Sequence, residues 1–232
     1  MQYLGKLLQL WQPYSNLYSF SNQGAREPMI KNPLTKELRE FWDCDTLEEA
    51  RDTRITVPAQ PEVWNDELQY RVNEHLVRGL EGHVFLDFGC GAGRITRQLL
   101  RMGKEVHAVD VSEKMLEFCH QHCEGLIGLS TYLSDGYCFN VADNIIDCVV
   151  SCYVWQHMPT WEMIESNLRE IDRVCKPGAY VRLQSRTNET EVNGVNFVGI
   201  RQYPIDYIQL VPWKHLDTVE MAHHCWTVTF QK

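Results

Sequence analysis

The pattern of hydrophobic and polar positions divides the 232-residue chain into two parts. From about residue 76 to residue 232, short apolar runs are followed by stretches of helical periodicity, whereas residues 1–75 show no such alternation. Apolar runs of strand length that alternate with amphipathic stretches are typical of βαβ units. We therefore predict a helical or irregular segment over 1–75 and an α/β domain over 76–232, with a doubly wound, mostly parallel sheet.

The second part begins with an orderly series of predicted elements. The strands are predicted over 83–88, 105–110, 126–133, 145–152 and 179–185. The helices between them are predicted over 93–102, 113–122 and 160–174. Lys176, Pro177 and Gly178 predict a turn that leads into the last of these strands.

The two ends of the chain depart from this rhythm. After a loop over 186–201 and a short helix over 204–210, strand candidates at 217–223 and 225–231 predict an antiparallel hairpin. Before the α/β domain, the predicted helices lie over 35–42, 47–51 and 62–80.

A glycine-rich turn follows the first predicted strand. Residues 84–98 read VFLDFGCGAGRITRQ, in which glycines at positions 89, 91 and 93 separate an apolar run from a helical pattern. Glycine allows backbone angles and close ligand approach that a Cβ atom would prevent. Arg94 stands where the dinucleotide-binding pattern has glycine or alanine, and the Lys-Ser/Thr pair of a P-loop is absent. The turn therefore resembles motif I of the class I S-adenosylmethionine-dependent methyltransferases.

Downstream residues extend this resemblance over about a hundred residues. Asp110 ends the second strand, where a carboxylate accepts hydrogen bonds from ribose hydroxyls, and Ser112 is a predicted helix N-cap. Asp135 and Gly136 follow the third strand, where the family binds the adenine amine; an ordinary Asp-Gly turn is the alternative. The fourth strand ends at Cys152, beside the expected position of the methionine group.

The resemblance implies a Rossmann-like sheet of seven strands with an antiparallel C-terminal edge hairpin and a helical N-terminal lid. It also implies S-adenosyl-L-methionine as cofactor and S-adenosyl-L-homocysteine as product. The residues that it assigns to cofactor binding are Asp87, Gly89, Cys90, Gly91, Gly93, Asp110, Val111, Asp135, Gly136, Ser151 and Cys152. Aromatic residues of the lid, among them Trp11 and Trp64, are candidates for the acceptor pocket.

His157 is the candidate catalytic residue, because the family commonly has histidine after the fourth strand. An imidazole with an ordinary pKa near 6.5 suits the deprotonation of a hydroxyl. A histidine that shapes the pocket is an equally good interpretation of this position. The expected reaction is direct in-line methyl transfer to a small-molecule, glycan-like or peptide acceptor.

Composition narrows the class of protein. The formal net charge of −9 disfavours duplex nucleic acid as a partner, because such binding needs a basic surface. The chain contains no run of 18 apolar residues, so a membrane-spanning helix is not expected. Nine scattered cysteines favour reduced thiols, and therefore a cytoplasmic location, over a disulfide framework.

Clustered cysteine and histidine residues at 119–123 and 223–225 lack the paired spacing of zinc ligands, so no metal site is predicted. Other functions stay open at this point: a methyltransferase-like cofactor-binding module that docks a protein partner, a protein or RNA methyltransferase, and a nicotinamide oxidoreductase. The glycine turn with Asp110 and Asp135 favours the small-molecule methyltransferase among them.

Overall fold

The computed structural model describes residues 33–50, 73–187, 201–221 and 224–232. Before the sheet, the described residues form helix α1 (Pro33–Trp42), the short helix α2 (Leu47–Ala50) and helical residues 73–77. The predicted helix over 62–80 is described from residue 73 onward. Trp11 and Trp64, the candidate lid aromatics, lie outside the described residues.

The described residues form one sheet of seven strands. The strands are β1 (Val84–Phe88), β2 (Glu105–Asp110), β3 (Leu129–Leu133), β4 (Ile146–Cys152), β5 (Cys175–Arg186), β6 (Lys214–Glu220) and β7 (Cys225–Gln231). Their order is β3-β2-β1-β4-β5-β7-β6, and β7 runs antiparallel to both of its neighbours while the other pairs are parallel. The predicted mostly parallel sheet with an antiparallel edge hairpin is confirmed.

Helices cover both faces of this sheet. They are α3 (Arg94–Arg101), α4 (Glu113–His122), a 3₁₀ helix (Trp155–His157), α5 (Trp161–Val174) and α6 (Pro204–Leu210). Successive strand residues point to opposite faces, and Phe85 accordingly packs in a core with Leu99 of α3, whereas Leu86 packs in another with Ile171 of α5. Two buried faces explain why the strands are apolar runs and not alternating ones.

Polar side chains start two of these helices where the sequence predicts them. Ser112 accepts a hydrogen bond from the Met115 amide at 3.1 Å and caps α4. Thr160 does the same for α5 through the Met163 amide at 3.2 Å. Both caps satisfy a backbone donor that the first turn of a helix leaves unpaired.

The predicted turn at Lys176, Pro177 and Gly178 is instead part of β5. The pairing with β4 passes from Ile146–Cys175 to Cys148–Tyr180, so the extra residues bulge out within the strand. Gly178 takes a positive φ of 85° there, and its amide donates to the Lys232 carbonyl at 2.8 Å. Bulges and turns favour the same residue types, such as glycine, so the sequence predicts that this strand starts at residue 179, whereas β5 starts at Cys175.

Candidate cofactor and acceptor site

The glycine turn lies at the carboxyl end of β1 and is packed tightly against the protein itself. Gly89, Gly91 and Gly93 have φ values of 73°, 52° and 85°. A Cβ atom on Gly89 would lie 2.1 Å from Val154 Cγ2, and one on Gly93 would lie 2.7 Å from Cys119 Sγ. The glycines are therefore required by backbone conformation and by packing, as well as by any ligand that approaches the turn.

Asp110 connects this turn to the start of α4. One carboxylate oxygen accepts from the Gly91 amide at 2.9 Å, and the other accepts from the Ser112 amide at 3.0 Å. Burial raises the pKa of Asp110, and these amide hydrogen bonds act in the opposite direction. A carboxylate has about four acceptor positions, so Asp110 keeps capacity to accept from a hydroxyl donor.

Two further residues fix the turn in place: Asp87, which precedes it in β1, and Cys90, which lies within it. The Asp87 carboxylate accepts from Thr96 Oγ1 at 2.6 Å; burial raises its pKa to about 6, although Thr96 and the charge of Arg94 lower it. The Cys90 amide donates to the Val109 carbonyl at 3.0 Å, and its side chain is buried. The turn is thus preorganised by contacts within the domain.

Asp135 and Gly136 form a tight turn after β3. Asp135 Oδ1 accepts from the Tyr137 amide at 2.9 Å and from the Cys138 amide at 2.7 Å, and Gly136 has a φ of 87°. The structural role that the sequence suggested for this pair is therefore present. Its contact with adenine stays a prediction.

At the end of β4, Ser151 and Cys152 have different environments. The Ser151 hydroxyl is fully buried and donates to the Phe88 carbonyl at 2.9 Å, which joins β4 to β1. The partly exposed Cys152 thiol lies 2.7 Å from Gln184 Oε1 and 3.4 Å from Arg94 Nη2. The sequence gives no local signal for either contact: Gln184 reaches Cys152 through the pairing of β4 with β5, and Arg94 reaches it from the start of α3.

His157 lies on the 3₁₀ helix that follows β4 and is 8% exposed. Burial lowers its pKa to about 4, so the imidazole is neutral at physiological pH. Gln156 Nε2 lies 3.2 Å from His157 Nε2. A neutral imidazole can accept a proton, which is the state that a general base requires.

Helix α1 crosses this edge of the sheet from the other part of the chain. The Arg39 guanidinium donates to the Val111 carbonyl at 2.8 Å and to the Ser134 carbonyl at 2.9 Å. Ser112 Oγ donates to Asp43 Oδ1 at 2.7 Å. The sequence predicts this helix but carries no local signal for its contacts with the site.

Neither a metal cluster nor a membrane span emerges from the described residues. Among them, no three His, Cys, Asp or Glu side chains are arranged to hold a metal ion. In the same ranges, every helix is too short or too polar to cross a bilayer. His223, one of the clustered residues considered above, lies outside the described part of the chain.

Comparison with known proteins agrees with this geometry. A family model described as a methyltransferase domain matches residues 86–183, which extend from β1 into β5. Together with the curated methyltransferase relatives and the solved structures, this match supports membership in the class I S-adenosylmethionine-dependent methyltransferase superfamily.

Curated methyltransferases with different named functions match part of this chain. It is 30% identical over 120 residues to a malonyl-[acyl-carrier protein] O-methyltransferase of Methylococcus capsulatus, covering 48% of this chain and 42% of the relative. It is 28% identical over 110 residues to a ubiquinone biosynthesis O-methyltransferase of a Shewanella species, covering 44% and 43%. The chain thus spans less than half the length of these relatives.

A solved S-adenosylmethionine-dependent methyltransferase from Aquifex aeolicus has the same fold. It superposes with a TM-score of 0.59 at 21% identity, and the match covers 85% of this chain and 97% of that one. At 21% identity, this similarity shows that the two proteins share a fold and nothing more.

Proposed function

We propose that the protein transfers the methyl group of S-adenosyl-L-methionine to an oxygen atom of a small-molecule acceptor. The observation that carries the proposal is Asp110, whose two oxygens are fixed by the amides of Gly91 and Ser112 at the end of β2. A carboxylate held in this way beside a glycine turn suits the two hydroxyls of a ribose. The donor set of the site therefore fits the cofactor.

The remaining proposed cofactor contacts follow the edge of the sheet from the loop after β1 to the loops after β2, β3 and β4. Asp87 and the backbone of Gly89, Cys90, Gly91 and Gly93 would face the methionine part. Val111 beside Asp110 would border the ribose, and Asp135 with Gly136 would border the adenine. Cys152 would lie beside the reacting methyl group, and Ser151, whose hydroxyl is bonded to Phe88, would contribute its backbone.

His157 supports the choice of an oxygen acceptor. Bound S-adenosylmethionine supplies an electrophilic methyl group on a sulfonium sulfur. The neutral imidazole would accept the proton of the acceptor hydroxyl; since its pKa of about 4 makes it a weak base, we expect a contribution near the lower end of the usual range, about 10²-fold in rate. Two of the curated relatives are named as O-methyltransferases, which supports the same acceptor atom.

The domain's own contribution to the reaction is alignment and exclusion of water. Most of the site residues are buried at the sheet edge, and α1 contacts the loops that follow β2 and β3. Holding two reactants in line contributes ~7–11 kcal/mol of barrier lowering. A reaction that needs mainly alignment suits a site built from fixed backbone loops.

Ligand binding tests the proposal directly. S-adenosylhomocysteine at a hundredfold excess over its Kd should stabilise the protein by about 2.7 kcal/mol, a rise in Tm of roughly 5–10 °C. Asp110→Asn should abolish most of this shift, whereas Glu124→Gln, which removes the same charge from an exposed position, should leave it intact.

The other functions predict different results. Absence of any shift with the wild-type protein would contradict the proposal, and quenching of reduced nicotinamide fluorescence would indicate an oxidoreductase. Binding without methyl transfer to phenols, catechols or carboxylic acids, together with a stable complex in size exclusion, would instead support a cofactor-binding module that docks a protein partner.

A further inference from the structure

Arg39 joins two loops that lie far apart in the sequence. Its guanidinium donates to the carbonyls of Val111 and Ser134, which immediately follow β2 and β3. The last paired residues of these strands are Asp110 and Leu133. Arg39 therefore bridges the two residues that come directly after the last paired residues of β2 and β3.

Contacts of α1 and of the residue that follows it hold Arg39 in this position. Thr35 Oγ1 donates to the Asp135 carbonyl, and Asp43 accepts from Ser112 Oγ. Thr35 and Arg39 are four residues apart on one face of α1, and Asp43 follows the last residue of the helix, with its amide bonded to the Arg39 carbonyl. Leu38 packs in the hydrophobic core next to this face, which fixes the helix's rotation.

We propose that Arg39 is a positioning residue for the cofactor, because it sets the spacing between the loop that carries Asp110 and the loop that carries Asp135. The inference rests on the proposed function, in which these loops border the ribose and the adenine. A guanidinium is a planar fork that can hold two carbonyls at once, whereas an ammonium group is a point charge with no fixed fork. The side chain thus acts through the loops and touches no reacting atom.

The test is calorimetric titration of S-adenosylhomocysteine into Arg39→Met, Arg39→Lys and Lys36→Gln. Lys36 is an exposed cation on the same helix, paired with Glu40, and serves as the matched control. We expect the Kd to rise about tenfold in Arg39→Met, the equivalent of one hydrogen bond to a charged group. Arg39→Lys should give a smaller rise, and Lys36→Gln should leave the Kd unchanged.

The Kd also separates positioning from general stability. If Arg39→Met lowers the Tm of the ligand-free protein but binds S-adenosylhomocysteine as the wild type does, Arg39 is structural and the inference is wrong. If Arg39→Met does not fold, Arg39→Lys decides: an unchanged Kd overturns the inference and a raised Kd supports it. Failure of the wild-type protein to bind would contradict the proposed function itself.

Discussion

The Trp42 ring and the imidazole of His157 pack in a T-shaped arrangement, with ring centroids 4.8 Å apart and an interplanar angle of 81°. Trp42 ends α1, and His157 lies on the 3₁₀ helix beyond β4. One helix therefore contacts the candidate base through Trp42 and the loops after β2 and β3 through Arg39. This links the proposed acceptor side of the site to its proposed cofactor side.

Removal of the His157 imidazole should slow the reaction without weakening cofactor binding. We expect His157→Gln to lower kcat for a hydroxyl acceptor by about 10²-fold, the lower end of what a general base contributes, since a pKa of about 4 makes this imidazole a weak base. The Kd of S-adenosylhomocysteine should stay within about twofold of wild type, because His157 lies on the acceptor side. A variant with unaltered kcat would show that this histidine only shapes the pocket.

The pH dependence of stability follows from the same burial. Because the folded pKa of His157 is lowered to about 4 from 6.5, the unfolded chain binds more protons between these values. Its contribution to stability is therefore complete above pH 6.5 and is lost as the pH falls toward 4, by about 3 kcal/mol in total. Urea unfolding of wild type and His157→Gln across this range should show the wild type losing more stability on acidification.

Replacement of Trp42 should affect turnover more than cofactor affinity. Trp42→Ala removes the ring that packs on His157, so we expect kcat to fall about tenfold as the imidazole loses its orientation. Trp42→Phe keeps an aromatic edge and should retain most of the activity. Trp161→Ala, which removes a partly exposed tryptophan from the start of α5, is the matched control. Equal effects of Trp42→Ala and Trp161→Ala would argue against the positioning role.

Asp87 should destabilise the ligand-free protein at neutral pH. Burial raises its pKa to about 6 from 3.8, so the folded state binds the proton more tightly and stability falls as the pH rises through this interval. The loss amounts to up to about 3 kcal/mol above pH 6. Asp87→Asn should therefore be more stable than wild type at pH 8 but not at pH 4. The same stability difference at both pH values would contradict this explanation.

The packing of the glycine turn makes a prediction about stability. Gly89 and Gly103 both have a φ of 73°, but a Cβ atom on Gly103 would meet nothing within 4 Å. Gly103→Ala should cost about 1–2 kcal/mol through backbone strain, and Gly89→Ala should cost a further 1–3 kcal/mol through overlap with Val154. Urea unfolding gives the free energy of unfolding of both variants. Equal losses would show that Val154 moves aside without a loss of stability.

The sequence predicts those features of the site that depend on residues close together along the chain. The glycine turn, Asp110 and the Ser112 cap depend on neighbouring residues, and the structure places them together at one edge of the sheet. Arg39 escaped prediction because its partners lie 72 and 95 residues away. The same holds for Gln184, which reaches Cys152 through the pairing of β4 with β5. The division at residue 75 stays a prediction; it falls within the helical residues 73–77.

A crystal structure with S-adenosylhomocysteine tests the central claim most directly. We predict electron density at the carboxyl ends of β1 and β2, with both ribose hydroxyls within about 3 Å of the Asp110 carboxylate. The adenine should lie between the loops that Arg39 connects, and the sulfur should point toward Cys152. Ligand density elsewhere in the molecule, or a ribose that makes no contact with Asp110, would contradict the account.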